Sequence, residues 1–137
     1  MLERFVEAQE TDYQIALNEI KNGRKRSHWM WYVFPQIKGL GCSWAADYYG
    51  IRDLKEAKDY LAHPILGTRL LEISEALLQI DGRNAREIFG YTDEKKLKSS
   101  MTLFYHASNQ SIFREVLEKY FRGKMDEETI KLLKKKE

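Results

Sequence analysis

Apolar residues recur along this chain mostly at intervals of three and four, the repeat of one face of an α-helix. The clearest run is Leu66, Leu70, Ile73, Leu77 and Ile80, which predicts a central core helix ended by Asp81-Gly82. Pro64 suits its first position, where a missing N–H goes unnoticed. Phe5, Val6 and Ala8 predict a short helix over 3–9. Thr11 and Asp12 then offer caps for a second helix, with Tyr13, Ala16, Leu17 and Ile20 inward and Gly23 as its stop.

Further along, Ser43 caps a short helix through Tyr49. Asp53 with Glu56 resembles a capping box ahead of Leu54, Ala57 and Leu61. A short helix over 85–89 ends at Gly90, and Thr92-Asp93 begin another whose apolar line is Leu97, Met101 and Phe104. On it Ser99, Ser100 and Thr102 are expected to point elsewhere. Asn109 or Ser111 caps the next helix, whose stripe is Ile112, Phe113, Val116, Leu117, Tyr120 and Phe121, closed by Gly123. Asp126 caps the last, with acids in its first turn and lysines near its end, as the helix dipole favours.

Residues 27–34 fit either period two or a helix of about two turns. Both faces are apolar, so the segment is expected to be buried. Helix is preferred because a lone strand would lack a partner, and Pro35 ends it. The expected fold is all-α: an irregular helical bundle of seven or eight helices, with residues 1–137 as a single compact domain.

Composition narrows the classes. Hydrophobic residues at 43% beside charged residues at 32% point to a globular chain rather than a disordered one. No run of about 18 apolar residues exists, so no membrane helix is expected. The start, MLERFVEAQE, carries charges where a signal peptide needs an apolar stretch, and the expected location is the cytoplasm. Cys42 is the single cysteine, so no intrachain disulfide is possible. A formal net charge of +2 means that any case for nucleic acid must rest on local clusters.

One stretch concentrates chemistry: GRKRSHWMWYVFPQ, from Gly23 to Gln36. Arg24, Lys25 and Arg26 read either as a solvated turn after the preceding helix or as an anion pocket, since arginine presents a planar fork of donors to phosphate or carboxylate oxygens. His28 has the titration range for proton transfer and is the one catalytic candidate, against the alternative of a structural histidine among aromatics. Ser27 adjoins it, but neighbours in sequence point apart, so the two are not a nucleophile–base pair. Trp29 and Trp31 suit either stacking or core, and Gln36 either reads an amide or base edge or satisfies the turn at Pro35.

His28, His63, His106 and Cys42 lack the spacing of metal ligands, and no metal or cofactor is expected. Gly123-Lys124 and Gly39-Leu40-Gly41 fall short of phosphate-loop and dinucleotide fingerprints. Lys95, Lys96 and Lys98 read as an exposed helix face.

Four blocks in order carry a family resemblance. They are Gly23–Gln36, Gly39-Leu40-Gly41-x-Ser43, Tyr60-Leu61-x-His63-Pro64-x-Leu66-Gly67, and Lys96-Leu97-Lys98-Ser99-Ser100-Met101-Thr102-Leu103-Phe104. The chain resembles an uncharacterised, mainly bacterial, mostly helical family of unknown function that spans nearly its whole length. Some members carry the label calpastatin, but a calpain inhibitor is expected to be long and disordered. The resemblance implies the fold, points to these blocks and supplies no reaction. It also implies a basic residue in many relatives at the position of Cys42.

The favoured function is a pocket for an anionic small molecule, a nucleotide or sugar phosphate. Arg24, Arg26 and Lys98 would hold the anion, with Ser27, Trp29, Trp31, Gln36, His63, Ser99, Ser100 and Thr102 around it and His28 as a proton carrier. Two other readings stay open: an RNA or single-stranded DNA module, and a protein-interaction domain anchored by Trp29, Trp31 or Trp44, with the oligomeric state unassigned.

Overall fold

The structure, a computed structural model, describes residues 1–136. Among the described residues there are eight helices and no strand. They are α1 (Glu3–Lys21), α2 (Met30–Val33), α3 (Trp44–Tyr48), α4 (Leu54–Ala62), α5 (Leu66–Leu78), α6 (Ala85–Ser108), α7 (Ser111–Phe121) and α8 (Glu127–Lys135). The all-α expectation holds.

Helix α6 is the axis of the bundle. It packs against α4, α7 and α8, while α5 joins α1, α4 and α7. The five expected α5 residues, Leu66, Leu70, Ile73, Leu77 and Ile80, are all buried. Each fully buried aliphatic side chain contributes about 1.5–3 kcal/mol. At Gly67 the α4–α5 corner leaves no room: a Cβ would lie 2.0 Å from the Leu61 carbonyl oxygen.

Local differences from the sequence reading have local causes. The break expected near residue 10 does not occur, and α1 runs unbroken from Glu3 to Lys21. No Gly or Pro interrupts that span, and Asp12, expected as a cap, instead accepts the Tyr32 hydroxyl. Helix α2 is one turn rather than two, because residues 26–29 are held by a side chain of α1. Helix α5 starts at Leu66, not Pro64. The His63 Nδ1 accepts the Ile65 and Leu66 N–H groups at 3.2 and 3.3 Å and makes the turn ahead of it.

The cap before α7 is Gln110, without a side-chain bond, rather than Asn109 or Ser111. Asn109 is left-handed and closes α6. Ser43 and Asp126 cap α3 and α8 as expected. Asp53 accepts the Glu56 N–H at 2.8 Å, but the reciprocal half of that box is missing, since the Glu56 carboxylate turns to Arg4 and Arg52.

Gly90 has φ +86° and ψ 166°, so α6 is two helices joined at a kink, as the glycine predicts. Beyond it Ser99, Ser100 and Thr102 do not point away from the core. All three are buried, because α6 is covered on several sides. Ser99 and Thr102 donate back to the Lys95 and Lys98 carbonyls at 3.1 and 2.8 Å.

Candidate functional site

The basic–aromatic loop is organised by a carboxylate. Glu19, on α1, accepts the Arg26 N–H at 2.8 Å, the Ser27 N–H at 3.0 Å, the Ser27 hydroxyl at 2.5 Å and the Trp29 indole N–H at 2.8 Å. Burial opposes its charge, but these donors, led by the Ser27 hydroxyl, hold its pKa down at about 2.

Lys25 turns inward to Asp93 at 2.8 Å. Its ammonium also donates to the Ser27 carbonyl at 2.5 Å. Lys96 meets the other Asp93 oxygen at 3.0 Å and lies 4.1 Å over the Trp31 ring. Burial again opposes the Asp93 charge, yet the two ammonium donors keep its pKa below the usual value.

A cleft of about 290 Å³ opens beside this network. One wall is apolar: Trp31 from α2, Ile37 and Leu40 from the following loop, Ala46 from α3 and Tyr49 just after it. Helix α6 contributes Thr92, Lys95, Lys96 and Ser99, which share a face at spacings of three and four. Asp126 and Glu128, where α8 begins, complete the lining.

At its base Gln36 and Ile51 are tied by the chain itself. The Ile51 N–H donates to the Gln36 carbonyl and the Lys38 N–H to the Ile51 carbonyl, both at 2.8 Å, beside the Ile37–Ile51 bridge. The Gln36 side chain is 9% exposed, and its Nε2 has no hydrogen-bond partner.

Charge is uneven across the cleft. Lys25 and Lys96 share one carboxylate, Asp93. Lys95 meets the Tyr91 hydroxyl at 2.9 Å and no carboxylate among the described residues. The α6 wall is therefore net positive. At the far end Asp126 is engaged as a cap by the Thr129 N–H and hydroxyl, and Glu128 lies 3.6 Å from Lys131.

Of the residues picked out in the sequence, Trp31, Gln36 and Ser99 line this cleft. The others do not. Arg24, Arg26 and His28 are exposed on the loop, Ser27 is bound to Glu19, and Trp29 is buried in the core. His63 turns the α4–α5 corner, Lys98 is half-buried beside the cleft face, and Ser100 and Thr102 lie within the bundle. Thr102 accepts the Asp126 N–H at 2.9 Å and so positions the start of α8.

Sequence reasoning missed Glu19, Asp93, Lys95, Lys96 and Tyr49. The repeat Thr92, Lys95, Lys96, Ser99 was a readable polar stripe. Glu19 left no such signal, because its partners come from a loop.

No helix among the described residues is long and apolar enough to cross a membrane, and no three His, Cys, Asp or Glu side chains sit together as metal ligands. No curated protein matches the chain. The chain is similar to the conserved hypothetical protein Rv1873 from Mycobacterium tuberculosis, whose crystal structure superposes with a TM-score of 0.96. Identity is 48% over 97% of this chain and 96% of that one. A family model matches residues 1–133, and the chain belongs to the family that it describes as "Protein of unknown function (DUF1810)".

Proposed function

We propose that the protein binds an anionic small molecule, of the nucleotide or sugar-phosphate class, in the cleft between α2, α3 and α6. One observation carries this reading: an apolar cleft of about 290 Å³ has ammonium groups, Lys95 and Lys96, along one wall. Small-molecule sites typically start near 300 Å³ and combine mostly apolar walls with a few fixed polar groups. The anion contacts expected from Arg24 and Arg26 pass in this proposal to Lys95 and Lys96.

Thermal-shift screening against nucleotides and phosphorylated metabolites tests it. A ligand that raises Tm in the native chain and loses that effect in Lys95→Ala and Lys96→Ala supports the reading. No shift from any of them, or a shift indifferent to both lysines, refutes it.

A second reading has its own support. Trp44 is 71% exposed and stacks on the exposed Tyr48 at 4.8 Å, an aromatic pair of the kind found at protein interfaces. Sedimentation over a wide concentration range, with Trp44→Ala beside the native chain, tests its self-association form. The nucleic-acid reading loses one of its stacking platforms, since Trp29 is 1% exposed.

A further inference from the structure

Gln36 is the feature of the cleft that an anion alone does not explain. Its backbone carbonyl is held by the Ile51 N–H. It lines the cleft, is nine-tenths buried, and still leaves its Nε2 without a hydrogen-bond partner. Buried amide donors are ordinarily paired, because leaving one unpaired sacrifices its hydration for nothing. The other buried glutamine of this chain obeys that rule. Gln9 donates to the Tyr32 carbonyl at 2.7 Å and to the Tyr60 hydroxyl at 3.0 Å.

A carboxamide carries a donor and an acceptor side by side. Its natural complement is a planar edge with the opposite pair, as nucleobases present, and such two-point pairing distinguishes one base from another. Three further groups match the rest of such a molecule. Trp31, one face of which carries the Lys96 ammonium, and Tyr49 provide aromatic surface for a ring. Asp126 and Glu128 offer carboxylate oxygens to sugar hydroxyls. Lys95, free of carboxylate partners among the described residues, offers its charge to phosphate.

We infer that the ligand is a mononucleotide, with its base edge on Gln36, its ring along the Trp31–Tyr49 wall and its phosphate toward Lys95. The inference rests on the cleft being the ligand site and adds that the base, not the phosphate alone, is recognised. A sugar phosphate without a base leaves Gln36 unpaired.

Isothermal titration calorimetry with AMP, GMP, CMP and UMP, and with ribose 5-phosphate as the base-free probe, tests it. At least one nucleotide should bind about tenfold or more tightly than ribose 5-phosphate. Gln36→Met should lower that affinity about tenfold or more while leaving ribose 5-phosphate unchanged. Gln36→Glu, which only accepts, should change the ranking of the four bases, an effect that a purely structural role for Gln36 does not produce.

Ribose 5-phosphate binding as well as the nucleotides, with Gln36→Met indifferent, overturns the inference and leaves the proposed function standing. So does binding of some other phosphorylated metabolite when none of the four nucleotides binds. No binding by any phosphorylated compound overturns both.

Discussion

The same substitution at the two buried glutamines should act with opposite signs. Gln36→Met removes a carboxamide whose Nε2 is unpaired and substitutes an apolar side chain of similar length. An unsatisfied buried amide costs about 1–3 kcal/mol, and replacing it without a void recovers part of that. Because Gln36 keeps 9% exposure at the cleft, the lower end applies, and the variant should gain about 1 kcal/mol. At an unfolding entropy of about 2.1 cal/mol/K per residue, 137 residues convert this to a Tm rise of about 3.5 °C.

Gln9→Met should do the reverse. It orphans the Tyr32 carbonyl and the Tyr60 hydroxyl, both fastened by Gln9 Nε2, and removes the Oε1 acceptor of Arg69 at 3.4 Å. A loss of about 2 kcal/mol, or about 7 °C, is expected. Differential scanning calorimetry of the ligand-free chains reads both, with urea titration confirming unchanged m-values. A Tm for Gln36→Met clearly below the native one refutes the reasoning, because it means that the amide is satisfied in the free protein.

Two more outcomes follow from the loop and the helix corner. Glu19 has a folded pKa of about 2 against an ordinary 4.5, so the native state binds fewer protons there. Its stabilisation is complete above about pH 4.5 and is lost as pH falls toward about 2. The group is only half-buried, and solvent screening discounts the effect to about 1 kcal/mol. Urea midpoints of Glu19→Gln and the native chain should therefore differ near neutrality and converge by about pH 2. A gap independent of pH rules out this linkage. Gly67→Ala forces a Cβ against the Leu61 carbonyl and should destabilise by about 3 kcal/mol in urea titration, and a change under about 1 kcal/mol would show that the α4–α5 corner yields easily.

The fold was legible where apolar spacing and local caps agreed. Leu66 to Ile80, Ser43, Gly90 and Asp126 all act as their spacing and chemistry predict, because each signal is local. Errors arose where a distant partner overrode local preference. Thr11-Asp12 looked like a helix start, but Asp12 serves Tyr32 across the α1–α2 contact.

The site was only partly legible for the same reason. Trp31, Gln36 and Ser99 were found from residue type alone. Arg24 and Arg26 drew attention through their charge, yet it is their neighbour Lys25 that turns inward, held by Asp93, a residue far along the chain. Whether a cationic run is solvated or enlisted depends on such carboxylates, and periodicity does not reveal them.

The pinched base of the segment between Gln36 and Ile51 has an evolutionary consequence. Its two ends are already stapled by main-chain bonds, and Arg4 reinforces the C-terminal one through the Tyr48 and Gly50 carbonyls at 2.7 and 3.0 Å. Residues 39–49 thus form a loop whose two ends are held independently of its exposed tip. Doubling the length of such a loop adds only about 0.6 kcal/mol of closure entropy. Exposed positions there, Cys42 and Trp44 among them, can change at little cost to the bundle, whereas Leu40 and Tyr49 pack against the core and stay constrained.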